Sequence, residues 1–128
     1  MSKTPEANDW IRSAENDWLV IRNELRAEEK PWSMIAFHAE QAAEKYLKAF
    51  LIRNGERPLR THDLEGLLKI CARFDDSLAV FAEDCDALTE FAIDARYEDF
   101  IEYNSEPVAR RAVAASERVC SAIRERIL

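Results

Sequence analysis

Turn-forming residues are scarce, with two glycines and four prolines in 128 residues. A β-sandwich or barrel needs turn signals roughly every 8–12 positions, and this chain cannot supply them. A collagen-like or low-complexity chain is excluded for the same reason. Metal-ligating residues are nearly as rare. Only His38 and His62 carry imidazoles, and Cys71, Cys85 and Cys120 have no CxxC spacing, so a structural zinc site is hard to assemble. An odd cysteine count is awkward for a disulfide framework. No apolar run approaches the roughly 20 residues of a membrane span, and the opening MSKTPEANDW has no apolar signal core. These absences lead us to expect a soluble, reduced, cytoplasmic protein with no metal, no cofactor and no membrane partner. An excess of positive charge is also missing, since 18 basic residues stand against 25 acidic ones. Coating duplex DNA relies on neutralising phosphates, so duplex DNA is a poor partner for this chain. A local cationic patch for nucleotide or RNA remains open, because net charge does not say where charges sit.

What is present is apolar residues at helical spacing. They make up 48% of the chain, enough for one core, and the length suits a single domain over residues 1–128. Ile11, Ala14, Trp18, Ile21 and Leu25 step by threes and fours, predicting a helix over about 9–26 with Asp9 as N-cap. A second helix is expected over about 33–54, from Ser33 as cap to Gly55 as stop, with an arc of alanines beside Tyr46, Leu47 and Phe50. Two polar strips flank that arc: His38, Gln41, Lys45 and Lys48 on one side, Glu40 and Glu44 on the other. A short helix over 63–73 follows, capped by Thr61 or Asp63. Longer helices are expected over 77–94 and 107–127, the last with Pro107 in its first turn. The fold class is therefore all-α, an antiparallel up-down bundle of four long helices and one short one.

Several features carry two readings. Asp86, Glu90 and Asp94 recur every four residues, as a hydrated face, a magnesium site or a surface for a basic partner. Trp18 fits a buried stripe, whereas Trp10 and Trp32 fall at helix starts, where aromatics often anchor interfaces. His38 and Lys45 sit at the margin of the apolar arc, either facing a cleft or serving as boundary groups. His62 is read as packing the turn before the third helix, and an acid–base dyad with the adjacent Asp63 is not expected. The cysteines lie on or beside apolar stripes and read as buried small hydrophobes.

Against this background, Phe37-His38-Ala39-Glu40-Gln41-Ala42-Ala43-Glu44-Lys45-Tyr46-Leu47-Lys48-Ala49 resembles the signature second helix of the HEPN family. Asp9-Trp10-Ile11-Arg12-Ser13-Ala14-Glu15, Gly55 with Thr61-His62-Asp63-Leu64, Arg96-Tyr97 and Ala115-Ser116-Glu117-Arg118-Val119 follow in the family's order, so the resemblance spans essentially the whole chain. It implies a bundle of about five helices, commonly a homodimer. Small prokaryotic members act beside a minimal nucleotidyltransferase, in several cases as a toxin–antitoxin pair, and related domains bind nucleotide or RNA. Many members are metal-independent ribonucleases with an arginine and a histidine on a late helix. Here no histidine follows residue 62, so that late-helix motif is missing. Arg57 and His62 have the bare spacing, but in a proline-containing connector. The resemblance thus favours a non-enzymatic accessory subunit binding nucleotide or RNA through His38, Gln41, Lys45, Thr61, His62, Arg96 and Tyr97. An endoribonuclease toxin using Arg57 and His62, or a pure dimerisation and docking module, are the alternatives.

Overall fold

In the computed structural model, residues 5–89 and 105–128 are described. They form α1 (Ala7–Arg26), α2 (Trp32–Arg53), α3 (Leu64–Phe74), a 3₁₀ segment (Asp76–Phe81), α4 (Ala82–Thr89) and α5 (Glu106–Ile127). All regular structure among the described residues is helical, arranged as an up-and-down bundle.

Helix α2 is the central element, packed by α1, α5 and α3. Its alanines explain why. Ala36, Ala39, Ala42, Ala43 and Ala49 are fully buried, and their small side chains let the neighbouring helix axes approach closely. Larger residues fill the intervening space, with Trp18 and Ile21 from α1, Tyr46, Leu47 and Leu51 from α2, and Val119 and Ile123 from α5. Ser116 of α5 donates its hydroxyl to the Ala39 carbonyl at 2.6 Å, satisfying a polar group inside the contact. All three cysteines are buried in the same core. Burial pushes the thiols of Cys71 and Cys85 up to about 12 and that of Cys120 to about 11, so none is a thiolate at neutral pH.

Three element boundaries differ from the sequence expectation. Helix α1 begins at Ala7, with Glu6 as N-cap; Asp9 is the third helical residue, and its carboxylate accepts from the Glu6 amide at 2.8 Å. Helix α2 begins at Trp32 rather than after Ser33, with Pro31 in the cap position. The expected single helix from Ser77 is instead a 3₁₀ segment followed by α4. Asp75 is the cause: it accepts from the Ser77 amide (3.1 Å) and hydroxyl (2.6 Å), while Arg126 of α5 clamps both Asp75 and Ser77. Leu78, Cys85 and Leu88 still face the core, because the three-residue step from Leu78 to the half-buried Phe81 suits a 3₁₀ turn as well as an α-helix. The part of that expected helix beyond Thr89 lies outside the described residues.

The end of α2 sets the geometry of the site. The Gly55 amide donates to Ile52 and the Glu56 amide to Leu51, at 3.0 and 2.9 Å, the paired bonds of a Schellman motif. Gly55 supplies the left-handed φ of 79° that this turn requires.

Candidate functional site

At about 100° per residue, His38, Lys45, Gln41, Lys48, Glu44 and Glu40 fall in that angular order along one side of α2. The two polar strips expected from the sequence are therefore one seam. Gln41 joins them by donating Nε2 to Glu40 Oε2 at 2.8 Å.

One end of the seam is organised by α1. Asp17 is buried, and its Oδ1 meets His38 Nδ1 at 2.8 Å while its Oδ2 accepts from Lys45 Nζ at 2.7 Å. Both α2 side chains are half-buried, so Lys45 is a largely desolvated ion-pair partner of Asp17 and His38 is bound to it, neither being a free surface donor. The other end is organised by Glu44, also buried. Its Oε2 accepts from Lys48 Nζ at 3.1 Å, and its Oε1 meets His62 Nδ1 at 2.7 Å. The His62 ring is 63% exposed, so a buried carboxylate orients an imidazole that faces solvent.

Glu40 lies at the far edge of that order, beyond Glu44, and is fully buried. Its Oε1 has no hydrogen-bond partner among the described residues. Burial, then repulsion from Glu44 and Asp17, pushes its carboxyl up to about 8. Glu44 is already bound by Lys48 and His62, so the neighbouring Glu40 is the group whose neutral form the fold favours.

Of the residues singled out in the sequence, His38, Gln41, Lys45 and His62 are brought together on this seam. Thr61 has a local role: its hydroxyl oxygen accepts from the Asp63 amide at 3.0 Å, shaping the turn that enters α3. Asp63 is the N-cap residue but makes no side-chain cap bond. Arg96 and Tyr97 lie outside the described residues, as do Glu90 and Asp94 of the acidic repeat. Asp84, two residues before Asp86, is bound by the Arg118 guanidinium of α5 through Nε and Nη2, at 2.8–3.2 Å. Among the described residues no group of three His, Cys, Asp or Glu is placed to hold a metal ion. No described helix is long and apolar enough to cross a membrane.

Sequence reasoning missed Asp17, and it placed Glu40 and Glu44 on a polar strip without assigning them to the site. A signal existed for Asp17, a carboxylate set between Ala14, Trp18 and Ile21 on an apolar stripe. It also missed the cleft into which the seam opens beyond Lys48. This cleft of about 710 Å³ lies between the start of α1, the end of α2 and the connector over residues 55–60. Trp10, Lys48, Arg57 and Arg60 line it, and Lys48 Nζ stands 5.1 Å from the centre of the Trp10 ring.

The fold and the seam define a small all-helical domain whose polar site is built on its central helix. The chain belongs to the HEPN domain family, whose model matches residues 7–126. Two solved structures share the fold. TT1696 from Thermus thermophilus is 21% identical with a TM-score of 0.82, over 94% of this chain and 98% of that one. ST0689, an archaeal HEPN homologue, is 23% identical with a TM-score of 0.77, over 98% of this chain and 100% of that one. No curated protein sequence matches the chain.

Proposed function

We propose that this HEPN protein is a cytoplasmic, homodimeric accessory subunit that binds nucleotide or RNA and acts with a minimal nucleotidyltransferase, in the setting of a toxin–antitoxin pair. In that pair the transferase carries the phosphoryl-transfer chemistry, and this chain presents the substrate or is itself modified. The observation that carries the reading is convergence. His38, Gln41, Lys45 and His62 share one seam, held by Asp17 and Glu44, that leads into a cleft with cations and an indole. Guanidinium and aromatic faces are the groups on which nucleotides and unpaired bases stack. By the family resemblance, Arg96 would neutralise phosphate and Tyr97 would offer a stacking ring. The test is titration of ATP, GTP and short RNA against the wild type and Arg96→Ala, together with copurification with the product of an adjacent nucleotidyltransferase frame. Binding weakened in the variant supports the reading; no binding to either protein and no complex ends it.

One observation favours a second reading, a metal-independent endoribonuclease. His62 is exposed and oriented by buried Glu44, as a general acid–base histidine would be, and Arg57 lines the neighbouring cleft. Incubation with total RNA in EDTA separates the two. Cleavage that disappears in His62→Ala supports the nuclease, whereas intact RNA supports the accessory role.

A further inference from the structure

Helix α5 turns Ala112, Ser116, Val119 and Ile123 into the core. At about 100° per residue the opposite, outward face is centred on Ser121. Ala114 and Ser121 keep the middle of that face low, so a second helix could approach it closely. Beside them runs a cleft of about 420 Å³ whose walls include Phe81, Glu117, Arg118 and Glu125.

The charges on this face change sign about Ser121. Glu117 and Arg118 stand one turn before it, and Arg124 and Glu125 stand one turn after it. Residues two turns apart share a flank, so Glu117 and Arg124 lie on one side, and Arg118 and Glu125 on the other. A two-fold axis through Ser121, perpendicular to the helix, would lay a second α5 antiparallel on the first. Glu117 then meets Arg124 of the second copy, Arg118 meets its Glu125, and symmetry repeats both contacts. All four pairs are of opposite sign. A parallel pair would set each charge level with its own copy.

The groups these pairs need are available. Among the described residues, Glu117 and Glu125 have no hydrogen-bond or ion-pair partner. Arg118 binds Asp84 through Nε and Nη2. Arg124 binds Tyr46 and Glu15 through the same two nitrogens, so Nη1 of each arginine is left without a bond among the described residues. Those internal bonds hold the guanidinium forks in place, which lowers the ordering cost of a further contact. The same axis sets Leu128, 73% exposed, over the gap that Ala114 leaves in the second copy, and so buries an apolar side chain. Exposed ion pairs add little affinity singly; here they choose partner and register. A basic segment of another protein would suit the two acids but would oppose Arg118 and Arg124. A surface that alternates in sign satisfies all four, and α5 is itself such a surface.

We propose that two copies of this chain pair through the outward faces of α5, antiparallel about Ser121, with Glu117–Arg124 and Arg118–Glu125 ion pairs between the copies. This rests on the homodimer in the reading above and gives it a surface and a register.

The experiment is sedimentation velocity of the full-length protein over a concentration series, with circular dichroism to check folding. The wild type should be a dimer at tens of micromolar. Glu125→Arg and Arg118→Glu should each weaken dimerisation at least tenfold with unchanged circular dichroism, because like charges then meet twice. Mixing the two variants should restore a dimer with one chain of each. Ser121→Trp, at the axis, should also weaken dimerisation at least tenfold without changing any charge. Dimerisation at wild-type strength in Glu125→Arg and Ser121→Trp overturns this surface and leaves the homodimer standing. Weakening in both charge variants that mixing does not relieve overturns the antiparallel register. A wild type that stays monomeric overturns the surface and the homodimer together.

Discussion

A carboxylate at the right residue decides how the α2 seam is held. Asp17 binds His38 and Lys45 together at a buried position, so Asp17→Ala leaves the Lys45 ammonium without its carboxylate and the His38 ring without its partner. Breaking a buried pair from one side costs about 3–5 kcal/mol, and urea denaturation should show a midpoint lowered accordingly with an unchanged slope. A loss below about 1 kcal/mol would mean that water already reaches the pair. Glu40 acts in the opposite sense. Its carboxyl is raised from 4.5 to about 8 in the fold, so the folded state holds a proton that the unfolded chain releases. Stability from this group is complete below about pH 4.5 and declines as pH rises through about 8. Glu40→Gln mimics the neutral acid and keeps an acceptor for Gln41. It should flatten the fall in stability between pH 5 and 8 and be more stable than the wild type at pH 8, as measured by denaturation across that range. A variant as pH-sensitive as the wild type would place the proton elsewhere in the seam.

At the scale of elements, the turn leaving α2 has the clearest single determinant. A Cβ at Gly55 meets nothing within 4 Å, so Gly55→Ala tests backbone conformation alone. The left-handed φ should cost the alanine variant about 1–2 kcal/mol in thermal or urea unfolding. Gly55→Asn should lose less, because asparagine tolerates that region. Equal stability in both variants would show that the Schellman turn relaxes without cost. Most elements were legible because their stripes are long and clear: Ala14, Trp18 and Ile21 in α1, and the alanines of α2. The cap positions were not, since Asp9 suits the third helical residue as well as the cap, and only the fold shows that Glu6 precedes it. The 3₁₀ segment was hidden for a different reason. The stripe of Leu78, Cys85 and Leu88 satisfies either helix, and the deciding clamp comes from Arg126, about fifty residues away in sequence. The site was half legible on similar grounds. A helical wheel places His38, Gln41 and Lys45 on one side of α2, but it does not show that Asp17 will cross from α1 or that the connector will bring Arg57 to the cleft that Trp10 lines.

For the whole molecule, an acidic chain carries a concentrated cationic and aromatic cleft at one end of its central helix, next to a seam of buried ion pairs. The seam holds its charges in pairs, and the cleft carries Arg57 and Arg60, which have no partner among the described residues. Sedimentation velocity at tens of micromolar should show a homodimer, in keeping with the proposed assembly; a clean monomer would remove that part of the account. The most direct test of the central claim is a ¹H–¹⁵N correlation spectrum recorded during addition of ATP. The account predicts shifts that saturate together at the Trp10 indole, the Gly55 and Glu56 amides and the Arg57 and Arg60 side chains. Shifts confined to α5, or a spectrum that does not change, would contradict it.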